Sequence, residues 1–166
     1  MQSFCVLMAS VAGALYMIPQ LCQSGKYKEF LEPVDRKQYY FKPILAGGLW
    51  IEERLRLKGS GRYFGWLHQK IVMLNGSRYA AFHMKIHWAS KILYLFLGII
   101  LAGLLGFLGG AEGEEWYLIV PGAGVGLFFL ADKMLDDQYR KKVMSIKREF
   151  PDFVSGLVLL VNAGLS

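Results

Sequence analysis

Three apolar stretches without a charged side chain, residues 3–18, 92–110 and 116–131, constrain this chain more than anything else in it. Hydrocarbon offers no water to satisfy a polar backbone, so a segment that enters it must close its hydrogen bonds internally, as a helix does. A spanning helix needs about 20 mostly apolar residues, and a charge within it costs several kcal/mol unless solvated or paired. The stretch at 92–110 meets the length, and the other two come close to it. Composition agrees: 54% of the chain is hydrophobic and only 19% charged, a balance typical of membrane proteins rather than soluble ones. The expected fold is an all-α membrane protein with about three transmembrane helices.

The first stretch is not read as a secretory signal, because no Lys or Arg precedes it and Pro19-Gln20-Leu21-Cys22 lacks the small-x-small pattern of a cleavage site. It is expected to stay as a helix over residues 1–19. The third contains Pro121, which predicts a kink near its start. Cys5 and Cys22 lie at opposite ends of the first stretch, too far apart along a helix to pair, so each is read as a small packing residue.

Charge orients the helices. Residues 20–91 carry 13 basic and 5 acidic side chains and residues 132–166 carry 6 and 5, whereas the link 111–115 has only Glu112, Glu114 and Glu115. Basic segments stay on the cytoplasmic side. The expected topology has the N-terminus outside, the long basic loop inside, the acidic turn outside and the C-terminal segment inside. The net charge of +6 is thereby a topology signal, and no nucleic-acid-binding motif accompanies it.

Within the basic loop, residues 23–40 read as a polar linker with some helix. Helices are expected over about 44–57, ending at Gly59-Ser60-Gly61, and over 63–73, broken at Asn75-Gly76. Residues 78–91 have helical amphipathicity and run straight into the second span, placing Tyr79, Trp88 and the stems of Lys85 and Lys91 at headgroup level. Residues 132–150 form a charged connecting helix with acids preceding bases. Pro151 suits the first turn of a new helix, in which Phe153, Val154, Leu157, Val158, Val161 and Leu165 repeat at spacings of three and four. The organisation is therefore helix 1–19, basic cytoplasmic helical loop 20–91, hairpin 92–131 (spans 92–110 and 116–131), connecting helix 132–150 and the start of a helical domain at 151–166.

No residue pattern carries catalysis. His83 and His87 share a helix face but lack the additional ligands a zinc site needs, with His68 unconstrained. Residues 59–65 lack the Gly-Lys-Ser/Thr of a phosphate loop, and Gly122, Gly124 and Gly126 are not preceded by the strand of a dinucleotide fingerprint. No enzyme activity and no cofactor are expected. Small residues in the spans are more informative: Gly98, Ala102, Gly106 and Gly110 form a stripe on the second, and Gly122 and Gly126 a GxxxG on the third, as close helix packing requires.

Residues 135–166, above all the run FPDFVSGLVLLVNAGLS, resemble the opening of the F-type inner-membrane platform family of type II secretion, type IV pilus and tight-adherence (Tad) pilus systems. In that family a Pro followed by an apolar helix ending Ala-Gly-Leu/Met-Ser opens a cytoplasmic bundle; Pro151, Ala163, Gly164, Leu165 and Ser166 match. The run from Asn75 into the hairpin is similar to the TadB/TadC branch. The resemblance implies a non-enzymatic scaffold in the cytoplasmic membrane, in contact with lipid, a cytoplasmic assembly ATPase, pilins and other pilus-assembly membrane proteins, and working as an oligomer. It further implies that this chain is the N-terminal part of a longer bundle. The alternative is a small membrane-anchored sensor or regulator whose basic loop binds anionic lipid or a partner. A transporter would need polar residues inside the spans.

Overall fold

The structure, a computed structural model, describes residues 2–32, 41–55, 61–110 and 112–164. Helix accounts for 93% of these and no strand occurs among them, as the sequence led one to expect. In chain order they are α1 (Gln2–Leu31), a 3-10 turn (Lys42–Ile44), α2 (Leu45–Leu55), α3 (Arg62–Asn75), a 3-10 turn (Ser77–Tyr79), α4 (Ala80–Leu108) and α5 (Trp116–Gly164). The helices α1, α4 and α5 are long and apolar enough to cross a membrane.

The axis of the molecule is α4, apolar on almost every side, as befits a helix surrounded by others or by lipid. On one flank α1 runs antiparallel to it, with Cys5 at Gly106, Tyr16 facing Phe96 and Phe30 facing Phe82. On the other flank α5 is also antiparallel, with Trp116 at Gly106, Gly124 at Ile99 and Asp132 at Lys91. The half of the bundle holding the apolar stretches thus contains three helices. In the other, polar half two short helices fill the clefts. There α2 lies between α1 and α4, with Gly47 against Tyr16 and Gly48 against the Ala89 backbone, and α3 lies between α4 and α5, burying Leu67 and Ile71 beside Ala80 and Leu135.

The buried positions of α1, Cys5, Ala9, Ala12 and Tyr16 and then Tyr27 and Leu31, follow helical spacing. They continue past the point at which a helix was expected to end. Pro19 sits inside α1, and residues 20–31, read from sequence as part of a helical loop and a linker with some helix, continue that same helix. A proline in a helix interior costs one backbone bond and a steric clash, about 3 kcal/mol. Here the second half of α1 recovers that through Tyr27, Leu31 and Phe30, which pack with α2 and α4 in the main core. The remainder of the expected linker, residues 33–40, lies outside the described residues.

The second departure is larger. A new helix was expected to begin at Pro151; instead α5 passes through Pro151, as it does through Pro121, as one helix of 49 residues, about 74 Å long. The helix formers Lys147, Arg148 and Glu149 lead into Pro151, and Ser155 Oγ donates to the Pro151 carbonyl at 2.9 Å. From residue 143 onward α5 leaves the bundle and projects as an arm about 33 Å long. Its apolar face stays bare, with Phe150 62% and Phe153 66% exposed.

Candidate functional site

The densest chemistry lies where α4 and α5 pass from their apolar to their charged halves. Lys91 is the last charged residue before one apolar stretch and Asp132 the first after the other, at nearly the same distance from the turn that joins α4 to α5. Antiparallel pairing therefore brings them level: Lys91 Nζ donates to Asp132 Oδ2 at 2.8 Å, with the lysine side chain 1% exposed. One turn earlier on the same face of α4, His87 Nε2 donates to Asp132 Oδ1 at 3.0 Å, since a carboxylate only accepts. From the first turn of α3 the Tyr63 hydroxyl lies 2.8 Å from both carboxylate oxygens and accepts from Lys91 Nζ at 2.7 Å. One aspartate thus ties three helices together.

Rings complete the enclosure. Lys91 Nζ sits 4.1 Å from the Phe128 ring centre, 4.9 Å from Trp88 and 5.0 Å from Tyr63, all within the range of cation–π attraction. A buried ion pair is stable only when its remaining donors and acceptors are also engaged, and here they are. Beside it lies a cavity of about 40 Å³ edged by His87, Ser90, Tyr94 and Gln138, large enough for a few waters.

One turn along α5, Asp136 repeats the pattern at the surface, bonded to Lys70 of α3 and to Arg140, the latter at 2.8 Å. Lys70 also lies over the Trp66 ring of its own helix, 3.7 Å from its centre. At the end of α3, Lys142 Nζ donates to the Leu74 carbonyl at 2.6 Å. A separate set of bonds holds α2: Tyr16 donates to Ile44 O at 2.5 Å, Gln20 Nε2 to Pro43 O at 2.8 Å, and the buried Gly47 N–H to Gln20 Oε1 at 2.7 Å. Further down α2, Tyr27 donates to Glu53 at 2.5 Å. Its neighbour Glu52 is buried, with one carboxylate oxygen lacking a donor among the described residues. Burial pushes the Glu52 carboxyl above its ordinary range, Lys85 pulls it back, and Glu53 pushes it further up.

The small residues singled out from sequence divide. A Cβ on Gly98 would stand 2.6 Å from the Ala123 carbonyl oxygen, and one on Gly106 would stand 2.8 Å from Cys5 Sγ and 2.9 Å from the Trp116 ring. Ala102 is buried in the same cluster as Cys5 and Val120. Gly110 belongs to the turn instead, at φ +68°. On α5 the close contact falls to Gly124, whose Cβ would meet Ile99 at 2.7 Å; Gly122 and Gly126 face open space. Helical phase explains this: Val120, Gly124 and Ala131 share the face turned to α4, and a residue two positions away points elsewhere. Within this chain the GxxxG pair makes no helix contact. Gly103, not singled out, approaches Cys5 O and Ala9.

Pro151, Ala163 and Gly164 lie on the projecting arm, far from the Asp132 cluster, while Leu165 and Ser166 lie outside the described residues. His83 and His87 form no metal pair, because His87 is committed to Asp132; among the described residues no group of three His, Cys, Asp or Glu is placed to hold a metal. The cluster Tyr63, His87, Lys91 and Asp132 escaped sequence reading. Its one legible signal was the symmetric placement of Lys91 and Asp132 about the turn.

Fold and site define an all-α protein with three membrane-length helices, locked at one end by a buried ion-pair cluster. No family model, no curated protein and no solved structure matches the chain.

Proposed function

We propose that this chain is a scaffold of the inner-membrane platform of a Tad-type pilus or type II secretion-like system. In this reading α1, α4 and α5 cross the cytoplasmic membrane with the basic half inside, and α5 carries the force of a cytoplasmic assembly ATPase toward pilins leaving the bilayer. The observation that supports it is the continuity of α5: one helix runs from the apolar hairpin, through Asp132, to residues 151–164, where the sequence resembles the platform family. A push delivered to the arm reaches the hairpin without a flexible joint, and the cluster at Asp132 hands it on to α4 and α3. In this reading the site is structural, its charges mutually satisfied among the described residues.

The test is to delete the gene and, separately, to purify the tagged protein from its native membrane. Loss of pilus assembly together with recovery of a secretion ATPase, weakened by Phe153→Asp with Leu157→Asp, is the expected result. Normal assembly in the deletion strain and no ATPase association would remove the proposal.

A further inference from the structure

We infer that α3 is a detachable strap, able to leave the α4–α5 hairpin as a unit while the rest of the bundle stays folded. Four observations converge on this. First, α3 is bracketed by two glycines in conformations closed to other residues, Gly61 at φ +136° and Gly76 at φ +82°, and a side chain at either would meet nothing within 4 Å. Glycine at these two positions lets the backbone turn sharply at each end of the helix.

Second, α3 buries only Leu67 and Ile71 fully, whereas α4 buries twelve residues. Third, the α3 side chains Tyr63 and Lys70 bond α5 at acids that have other partners. Asp132 keeps His87 and Lys91 when Tyr63 withdraws, and Asp136 keeps Arg140 when Lys70 withdraws. Fourth, Lys70 takes its own ring with it, because Trp66 lies one turn away on α3. Breaking a buried polar contact is costly mainly when one partner is left unsatisfied; here both acids keep a donor, and Lys91, which gives up the Tyr63 hydroxyl, keeps Asp132 and the Trp88 and Phe128 rings. Two further links are the Phe64 ring stacked on Trp88 of α4 and, at the surface, Lys142 to the Leu74 carbonyl. Release uncovers the apolar groove of Ala80, Met84 and Leu135 on α4 and α5, directly above the root of the projecting arm.

Electron–electron distance measurement on the full chain in phospholipid nanodiscs tests this. Cys5→Ala with Cys22→Ser supplies the background, one spin-label pair goes at Gln69 and Asp137 to report α3 against α5, and a second at Ala81 and Asp137 reports α4 against α5. The 69–137 pair should show a short distance, and Tyr63→Phe with Lys70→Met should shift the docked-to-released ratio by about fivefold, the effect of roughly 1 kcal/mol. The 81–137 distance should not change. Gly76→Ala should shift the ratio the same way, and Lys70→Arg should restore docking. A 69–137 distance unmoved by any of these variants would show α3 to be a fixed part of the core. Broadening of both pairs together would show that α3 does not move as a separate unit; either result overturns the inference.

Discussion

The two halves of this bundle are held by different physics. In the apolar half three helices meet through missing side chains: Gly98 against the Ala123 backbone, Gly103 against the Cys5 backbone, Gly124 against Ile99. Lipid tails are as apolar as the helices, so burial gives no preference for a neighbouring helix over lipid, and close van der Waals contact supplies the attraction. In the polar half water competes, five helices share the space, and named hydrogen bonds and ion pairs set each one's place. The comparison teaches that substitutions should act by shape in one half and by charge in the other.

The largest expected effect is at the boundary. Asp132→Ala leaves Lys91 buried without its counter-ion and should cost about 3–5 kcal/mol, read as a lowered unfolding midpoint in phospholipid micelles. The double variant Lys91→Met with Asp132→Leu should recover most of that loss. If the single and double variants are equally damaged, packing governs the boundary and the contrast between the halves fails there.

In the apolar half, Gly98→Ala forces α4 and α5 apart and should cost about 1–3 kcal/mol. Gly122→Ala, in open space, should stay within about 0.5 kcal/mol of the parent. Equal costs at the two sites would mean that α5 is rotated from the phase described here. In the polar half, Gln20→Leu removes two bonds and strands the buried Gly47 N–H, for about 1–2 kcal/mol. Hydrogen exchange at Gly47 should rise while exchange across 98–106 is unchanged.

The smallest effect concerns pH. The Glu52 carboxyl titrates higher in the fold than in the unfolded chain, so the folded state holds the extra proton between the two values and loses stability as pH rises through that window. Above it the penalty is constant. Glu52→Gln should therefore unfold at a slightly higher temperature than the parent at pH 7, with the gap closing as the pH falls below the ordinary glutamate range. A gap independent of pH would assign the gain to something other than the buried charge.

Much of the fold was legible along the chain. The three membrane-length helices, the break at Asn75-Gly76 and the run of the 78–91 helix into the second span follow from local periodicity and composition, which do not depend on the rest of the molecule. Pro151 misled, and α1 outran its expected end at residue 19, because a proline's local cost is certain while the compensation is distant. Packing of Tyr27 and Leu31 against α2 carries α1 past Pro19, and nothing near Pro19 announces it. The glycines misled by phase: GxxxG marks a smooth helix face at 122 and 126, but only the fold selects which face of α5 meets α4.

By itself the sequence determined that the chain is helical, which segments can enter hydrocarbon, and that Lys91 and Asp132 stand at the ends of two such segments. These follow from the backbone's need to satisfy its own hydrogen bonds and from the cost of burying charge. Only the tertiary structure decided that those two charges are partners, that His87 and Tyr63 join them from a second turn and a third helix, and that α3 is held by acids already provided for. Such contacts join residues 28 to 69 positions apart, and a separation of that size is closed by packing, which no local pattern encodes.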